Sequence, residues 1–132
     1  MKVKCVANTG MDLSQVSLDS GELTTTIFNT IKIGETYTVY GIFLTKGTLS
    51  YLTMVPNWLP YWHPAELFEV VDSRQPSNWH FKFYGYNDYV LDAIWGYEEL
   101  LDENHRTNLI LREENDLQLF LKKKAEIDSI SD

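Results

Sequence analysis

The chain carries a single cysteine, Cys5, in 132 residues, so it holds no internal disulfide, and a lone thiol fits a reducing compartment. Cys5 sits in a candidate strand and is expected to be buried and inert. Long apolar runs are missing as well, because nothing approaches the ~20 residues of a membrane span. Met1-Lys2-Val3-Lys4, followed by Cys5 and Asn8, is too polar for a signal peptide. A cytoplasmic chain is expected.

Catalytic signatures are absent too. There is no Walker loop, no G-x-G-x-x-G, no G-x-S-x-G and no H-E-x-x-H. Asp102-Glu103-Asn104-His105 groups metal-ligating residue types, but no second histidine follows at i+4 and no cysteine pair exists, so the segment is expected to be polar surface. His63 stands among aromatics in Trp58-Leu59-Pro60-Tyr61-Trp62-His63-Pro64 without an adjacent nucleophile and is expected to be a packed loop histidine. His80 is expected on an exposed face. Glu98 and Glu99 are neighbours in sequence, and neighbours on a helix do not converge on one bond. No metal, no cofactor and no enzymatic activity are therefore expected. A hydrolase using His63 or His105 is the catalytic alternative, and it requires a concave pocket with a second convergent group.

What is present is a strong β pattern inside a composition that is 44% apolar and 14% aromatic, enough for one domain with a sizeable core. After the turn at Gly34-Glu35, Thr36 to Tyr40 alternates polar with half-buried residue types. Gly41-Ile42-Phe43-Leu44 is apolar at consecutive positions, which predicts cover on both faces or a bend at Gly41. Thr45-Lys46-Gly47-Thr48 supplies a turn, and Leu49 to Val55 returns as the partner of an antiparallel hairpin. Pro56 ends that strand, while Pro60 and Pro64 predict an irregular loop carrying Trp58, Tyr61 and Trp62, whose rings either cover the open end of the β core or stand exposed as interface anchors. Leu67 to Val71 is a further strand. Trp79, Phe81 and Phe83 alternate with polar neighbours, and this aromatic face is expected in one core with Tyr37, Val39 and Val70. Val3 to Val6 and Leu23 to Phe28 are weaker strand candidates, separated by the turn-like stretch from Asn8 to Gly21.

From Gly96 the pattern turns helical. Asn115 is placed to cap a terminal helix over about 116–127, with Gln118 as its box partner and Asp116 in the first turn. Leu117, Phe120, Leu121 and Lys124 share one face of that helix. The chain thus divides into a β core over 1–85 and an acidic, largely helical extension over 86–132.

Charge follows the same division. Residues 1–70 hold six acids and four bases, whereas 71–132 hold thirteen acids and seven bases. Asp88, Asp92, Glu98, Glu99, Asp102, Glu103, Glu113, Glu114 and Asp116 face only Arg106 and Arg112. Such a surface repels nucleic acid and anionic membrane, and it is either a solvated face that keeps the chain soluble or a docking face that complements a basic protein.

Gly34 to Val39, the hairpin ending in Tyr51-Leu52, the proline-containing loop and Leu67 to Val71 together resemble small SH3-like barrel proteins of bacteria and phage. The resemblance covers Lys2 to Asp72 and implies a strongly bent, five-stranded barrel used for binding, without catalytic residues. The acidic extension departs from a minimal barrel, and the spacing of Tyr37, Tyr40 and Trp58 is not that of a polyproline groove. The expected fold is mainly β (α+β), a partly open antiparallel SH3-like barrel with C-terminal α-helices packed on it. The expected function is a small acidic protein-binding module, an inhibitor or immunity-type protein that neutralises a basic partner. A phage or mobile-element accessory protein that binds a host protein is the alternative binding reading. The expected contact residues are Glu98, Glu99, Asp102, Glu103, Glu113 and Glu114, with Trp58 or Trp62 as an apolar anchor.

Overall fold

The computed structural model describes residues 1–55, 59–86 and 91–130. Among these, the elements run β1 (Lys2–Cys5), α1 (Gln15–Asp19), β2 (Thr36–Thr38), β3 (Gly41–Thr45), β4 (Thr48–Val55), β5 (Leu59–Pro64), β6 (Phe68–Asp72), β7 (His80–Phe83), β8 (Ala93–Gly96), α2 (Glu103–Ile110) and α3 (Glu114–Ile130). The strands form two antiparallel sheets, one of three strands in the order β2-β1-β6 and one of five in the order β5-β4-β3-β8-β7. The fold is mixed α+β, and no closed barrel is found among the described residues.

The hairpin expected at Lys46-Gly47 is present. Thr45 pairs with Thr48, and the two residues between them both have positive φ, 49° for Lys46 and 79° for Gly47, the combination that suits a two-residue hairpin turn. The consecutive apolar run of β3 is explained by layering. Ile42 enters a core shared with Val3, Cys5, Val39, Tyr51, Leu67 and Phe68, whereas Phe43 packs against the core of Tyr40, Leu52, Ile94, Leu100, Leu109 and Phe120. Successive strand residues point to opposite faces. The five-stranded sheet is therefore a middle layer, with the three-stranded sheet on one side and α2 and α3 on the other.

Gly41 and Gly96 are cross-strand partners in this middle sheet. A Cβ on either would meet Leu100 Cδ2, at 2.3 Å from Gly41 and 2.6 Å from Gly96. The two glycines form a notch that seats Leu100, itself fully buried, and so draw the 3₁₀ turn Glu98–Leu101 onto the sheet. At the other end of the helical layer, Phe120 and Ile127 of α3 are buried and Leu117 and Leu121 pack beside them. This is the face expected of the terminal helix.

Several expectations are corrected. Pro60 and Pro64 do not make a loop; they belong to β5, paired with Met54 and Ser50 of β4. On an edge strand alternate N–H groups point away from the ladder, and the two prolines share that parity. β8, a four-residue run too short to show a period, was not expected as a strand, yet it lies between β3 and β7. The strand expected at Leu23–Phe28 reduces to an isolated bridge between Thr9 and Ile27. Part of the turn-like stretch is α1, capped by the Ser14 hydroxyl and by Glu66, which accepts from the Ser14 amide and the Ser17 hydroxyl. Asn115 lies inside α3, and Gln118 donates to Glu114 (3.0 Å) across one turn.

The aromatic face of β7 is the largest correction. Phe81 and Phe83 are 54% and 53% exposed, and Val70 is 47% exposed. Both β6 and β7 are sheet edges, and a three-stranded sheet does not cover all of a five-stranded one. Phe81 leans on its cross-strand partner Trp95, with ring centroids 4.8 Å apart. Trp79, Val39 and Tyr37 do join the inter-sheet core.

Candidate partner-binding cleft

The six expected carboxylates fall into two groups. Glu98 and Glu99 sit on the 3₁₀ turn, Asp102 caps α2 by accepting from the Asn104 amide (2.9 Å), and Glu103 opens that helix. Glu113 and Glu114 lie beyond its other end, where α3 begins. Eight residues of helix span roughly 12 Å, so the groups are separated by the length of α2. Glu98, Asp102, Glu103, Glu113 and Glu114 are exposed. Glu99 is half-buried and paired with Lys123 at 3.2 Å. Burial acts to raise its carboxyl, but its own backbone amide and Lys123 outweigh that and hold it below the usual range.

Trp58 lies outside the described residues, as do Pro56 and Asp88. Trp62 is described, and it is a strand residue rather than a loop residue. Its ring packs edge-on against Phe43 at 4.6 Å and lines a cleft of about 450 Å³ between β5 and α2, together with Leu52, Pro60, Tyr61, Leu109, Ile110 and Arg112. Strand alternation puts Leu52 and Trp62, cross-strand partners, on the helical side of the sheet. The volume falls in the range of small-ligand and anchor pockets.

Arg112 is the charged side chain of this lining, and no sequence signal marked it. It follows the C-cap Leu111 of α2 with φ 62°, a left-handed conformation usually taken there by glycine or asparagine. Its guanidinium lies 4.4 Å from the Tyr61 ring centroid. Nη1 donates to the carbonyls of Pro60 (2.7 Å) and Leu109 (3.1 Å). One side chain thus ties the edge strand to the helix and holds a cation at the cleft wall.

The histidines are placed in the interior. His63 is 4% exposed, with Nε2 2.9 Å from Thr30 Oγ1 and Nδ1 3.3 Å from Thr53 Oγ1; it is packed as expected, but on β5. Burial lowers its pKa to about 4. His105, expected at the surface, is also 4% exposed. Asp116 accepts from its Nδ1 (2.7 Å), and the Tyr97 hydroxyl meets its Nε2 (2.8 Å). Burial pushes the Tyr97 phenol up. The hydrogen bond from His105 holds the Asp116 carboxyl low. Because His63 packs between the sheets and His105 in the helical layer, the two are not brought together. His80 is exposed, as expected.

Among the described residues, no group of three or more His, Cys, Asp or Glu side chains is placed to hold a metal ion. No helix among them is long and apolar enough to cross a membrane. No family model, curated protein or solved structure matches the chain.

Proposed function

We propose that this chain is a small acidic protein-binding module of inhibitor or immunity type, which neutralises a basic protein in the bacterial cytoplasm. The observation that carries the reading is the apolar cleft at Trp62, whose lining residue Arg112 runs directly into the exposed Glu113 and Glu114 at the start of α3. Exposed charges of one sign speed encounter with a complementary partner, while a desolvated aromatic sets the lifetime of the complex. The net charge of −8 favours a basic partner over nucleic acid or anionic membrane. The passage of the chain through Val39 and Tyr40 from one sheet into the next supports the strongly bent, SH3-like arrangement. A phage or mobile-element origin would change the partner and leave this mode of binding intact. The hydrolase reading has less support, because both candidate histidines are buried.

The test is affinity capture from the source cell, followed by stopped-flow association of the captured protein with wild-type chain and with a Glu98→Lys, Glu113→Lys, Glu114→Lys variant. A basic partner whose association slows at least tenfold in the variant, and slows with added salt in the wild type, supports the reading. Binding that ignores both salt and the substitutions sinks it.

A further inference from the structure

The β5 edge beside the cleft is closed to one common mode of recognition. An added strand needs a row of free amides, and two of the six residues of β5 are Pro60 and Pro64. Strand addition at this edge is therefore disfavoured, and the cleft is the recess beside it. The wall is apolar at Leu52, Trp62, Leu109 and Ile110, and Arg112 puts a cation beside it. Both carbonyl contacts of Arg112 use Nη1, and no contact of Nε or Nη2 is seen among the described residues. The Nε–Nη2 edge has the geometry that grips a carboxylate with two parallel hydrogen bonds. The guanidinium is also fixed in advance by the carbonyls and the Tyr61 ring, so little freedom is lost on binding. A left-handed arginine at a helix terminus is strained, and the contacts of its side chain hold it there.

We propose that the cleft receives the carboxyl-terminal residue of the partner, with the terminal carboxylate on Arg112 and an apolar terminal side chain against Trp62 and Ile110. Glu113 and Glu114, which lead from Arg112 into α3, repel further carboxylates and favour lysine or arginine just upstream in the incoming segment. The inference rests on the reading of the chain as a binder of basic proteins, and it names the part of the partner that enters.

The probe is an N-acetylated peptide of three lysines, one alanine and a terminal leucine, made as the free acid and as the amide, with 4-methylpentanoate as a small-acid control. Binding is followed by NMR shifts of the Trp62 indole and the Ile110 methyls. The free acid is expected to bind at least tenfold more tightly than both the amide and 4-methylpentanoate. Arg112→Gly, which suits the left-handed backbone, is expected to erase the preference for the acid. Ile110→Asp, at a 65% exposed position, keeps Arg112 and its carbonyl contacts while placing a carboxylate on the wall, and is expected to erase the preference as well. Equal binding of acid and amide, no binding at millimolar peptide, or equal binding of 4-methylpentanoate overturns the proposal. A captured basic partner that still answers to Glu98, Glu113 and Glu114 would then leave the broader reading standing.

Discussion

His105 and Asp116 are joined by a 2.7 Å hydrogen bond that fastens α2 to α3, and the other ring nitrogen reaches Tyr97 before the 3₁₀ turn. One imidazole thus cross-links three segments of the helical layer. His105→Ala is expected to destabilise the fold by roughly 1–3 kcal/mol, since it leaves the buried Tyr97 hydroxyl without its partner. Urea unfolding at neutral pH measures this, and an unchanged midpoint would show the contact to be dispensable. Because the folded carboxyl of Asp116 is held below its usual value, its contribution is present above the unfolded carboxylate pKa and is lost as pH falls through the folded one. Asp116→Asn should flatten that part of the acid limb.

His63 loses stability on acidification as well, and over a higher pH range. Its folded pKa is lowered to about 4 by burial, against about 6.5 in an unfolded chain. Between those values the unfolded state binds the extra proton, so stability is full above pH 6.5 and declines as pH falls toward 4. The loss is on the order of 3 kcal/mol. His63→Gln should remove most of this slope, and unfolding curves at pH 7 and pH 5 compare the two directly. A wild type equally stable at both would contradict the buried, neutral ring.

Two phenylalanines give an internal control on burial. Phe120 is fully buried and Phe81 is 54% exposed. Phe120→Ala is expected to cost about 3–5 kcal/mol, the usual range for a core ring. Phe81→Ala, which gives up partial burial and the stack on Trp95, should cost about 1 kcal/mol. Comparable losses would mean that the β7 face is covered in solution.

The notch at Gly41 and Gly96 predicts a rescue. Gly96→Ala brings a methyl against Leu100, and overpacking of this kind costs about 1–3 kcal/mol. Trimming the opposing side chain with Leu100→Val in the same molecule should recover part of the loss. The double-mutant cycle should show a coupling above about 0.5 kcal/mol. Strict additivity would mean that the backbone, not Leu100, occupies the notch.

Features written in local chemistry were legible in the sequence. Lys46-Gly47 names its own turn, Ile42-Phe43-Leu44 announces two covered faces, and Leu117, Phe120 and Leu121 mark the buried side of a helix. What escaped depends on neighbours distant in the chain. Prolines exclude a strand only until the strand is known to be an edge, which Pro60 and Pro64 cannot reveal. Asp102, Glu103 and Asn104 made His105 look solvated, although α2 turns its ring inward to Asp116. The cleft is assembled from Pro60 and Arg112, 52 positions apart, and no local pattern records such a meeting. Glu66 capping α1 is the same case.

The order of the strands also bears on how the chain is made. Among the described strands β8 is synthesised last, yet it is the seam between β3 and β7. A nascent chain that has reached only Asp92 holds β3 with one bare edge from Gly41 to Leu44, and β7 with no strand to join. Leu100, which fills the notch, and Phe120, which seals the helical layer, emerge later still. An exposed apolar edge is a template for wrong pairing. The growing chain therefore carries one until β8 and the helices after it leave the ribosome, and shielding by the ribosome surface or a chaperone matters most during that interval.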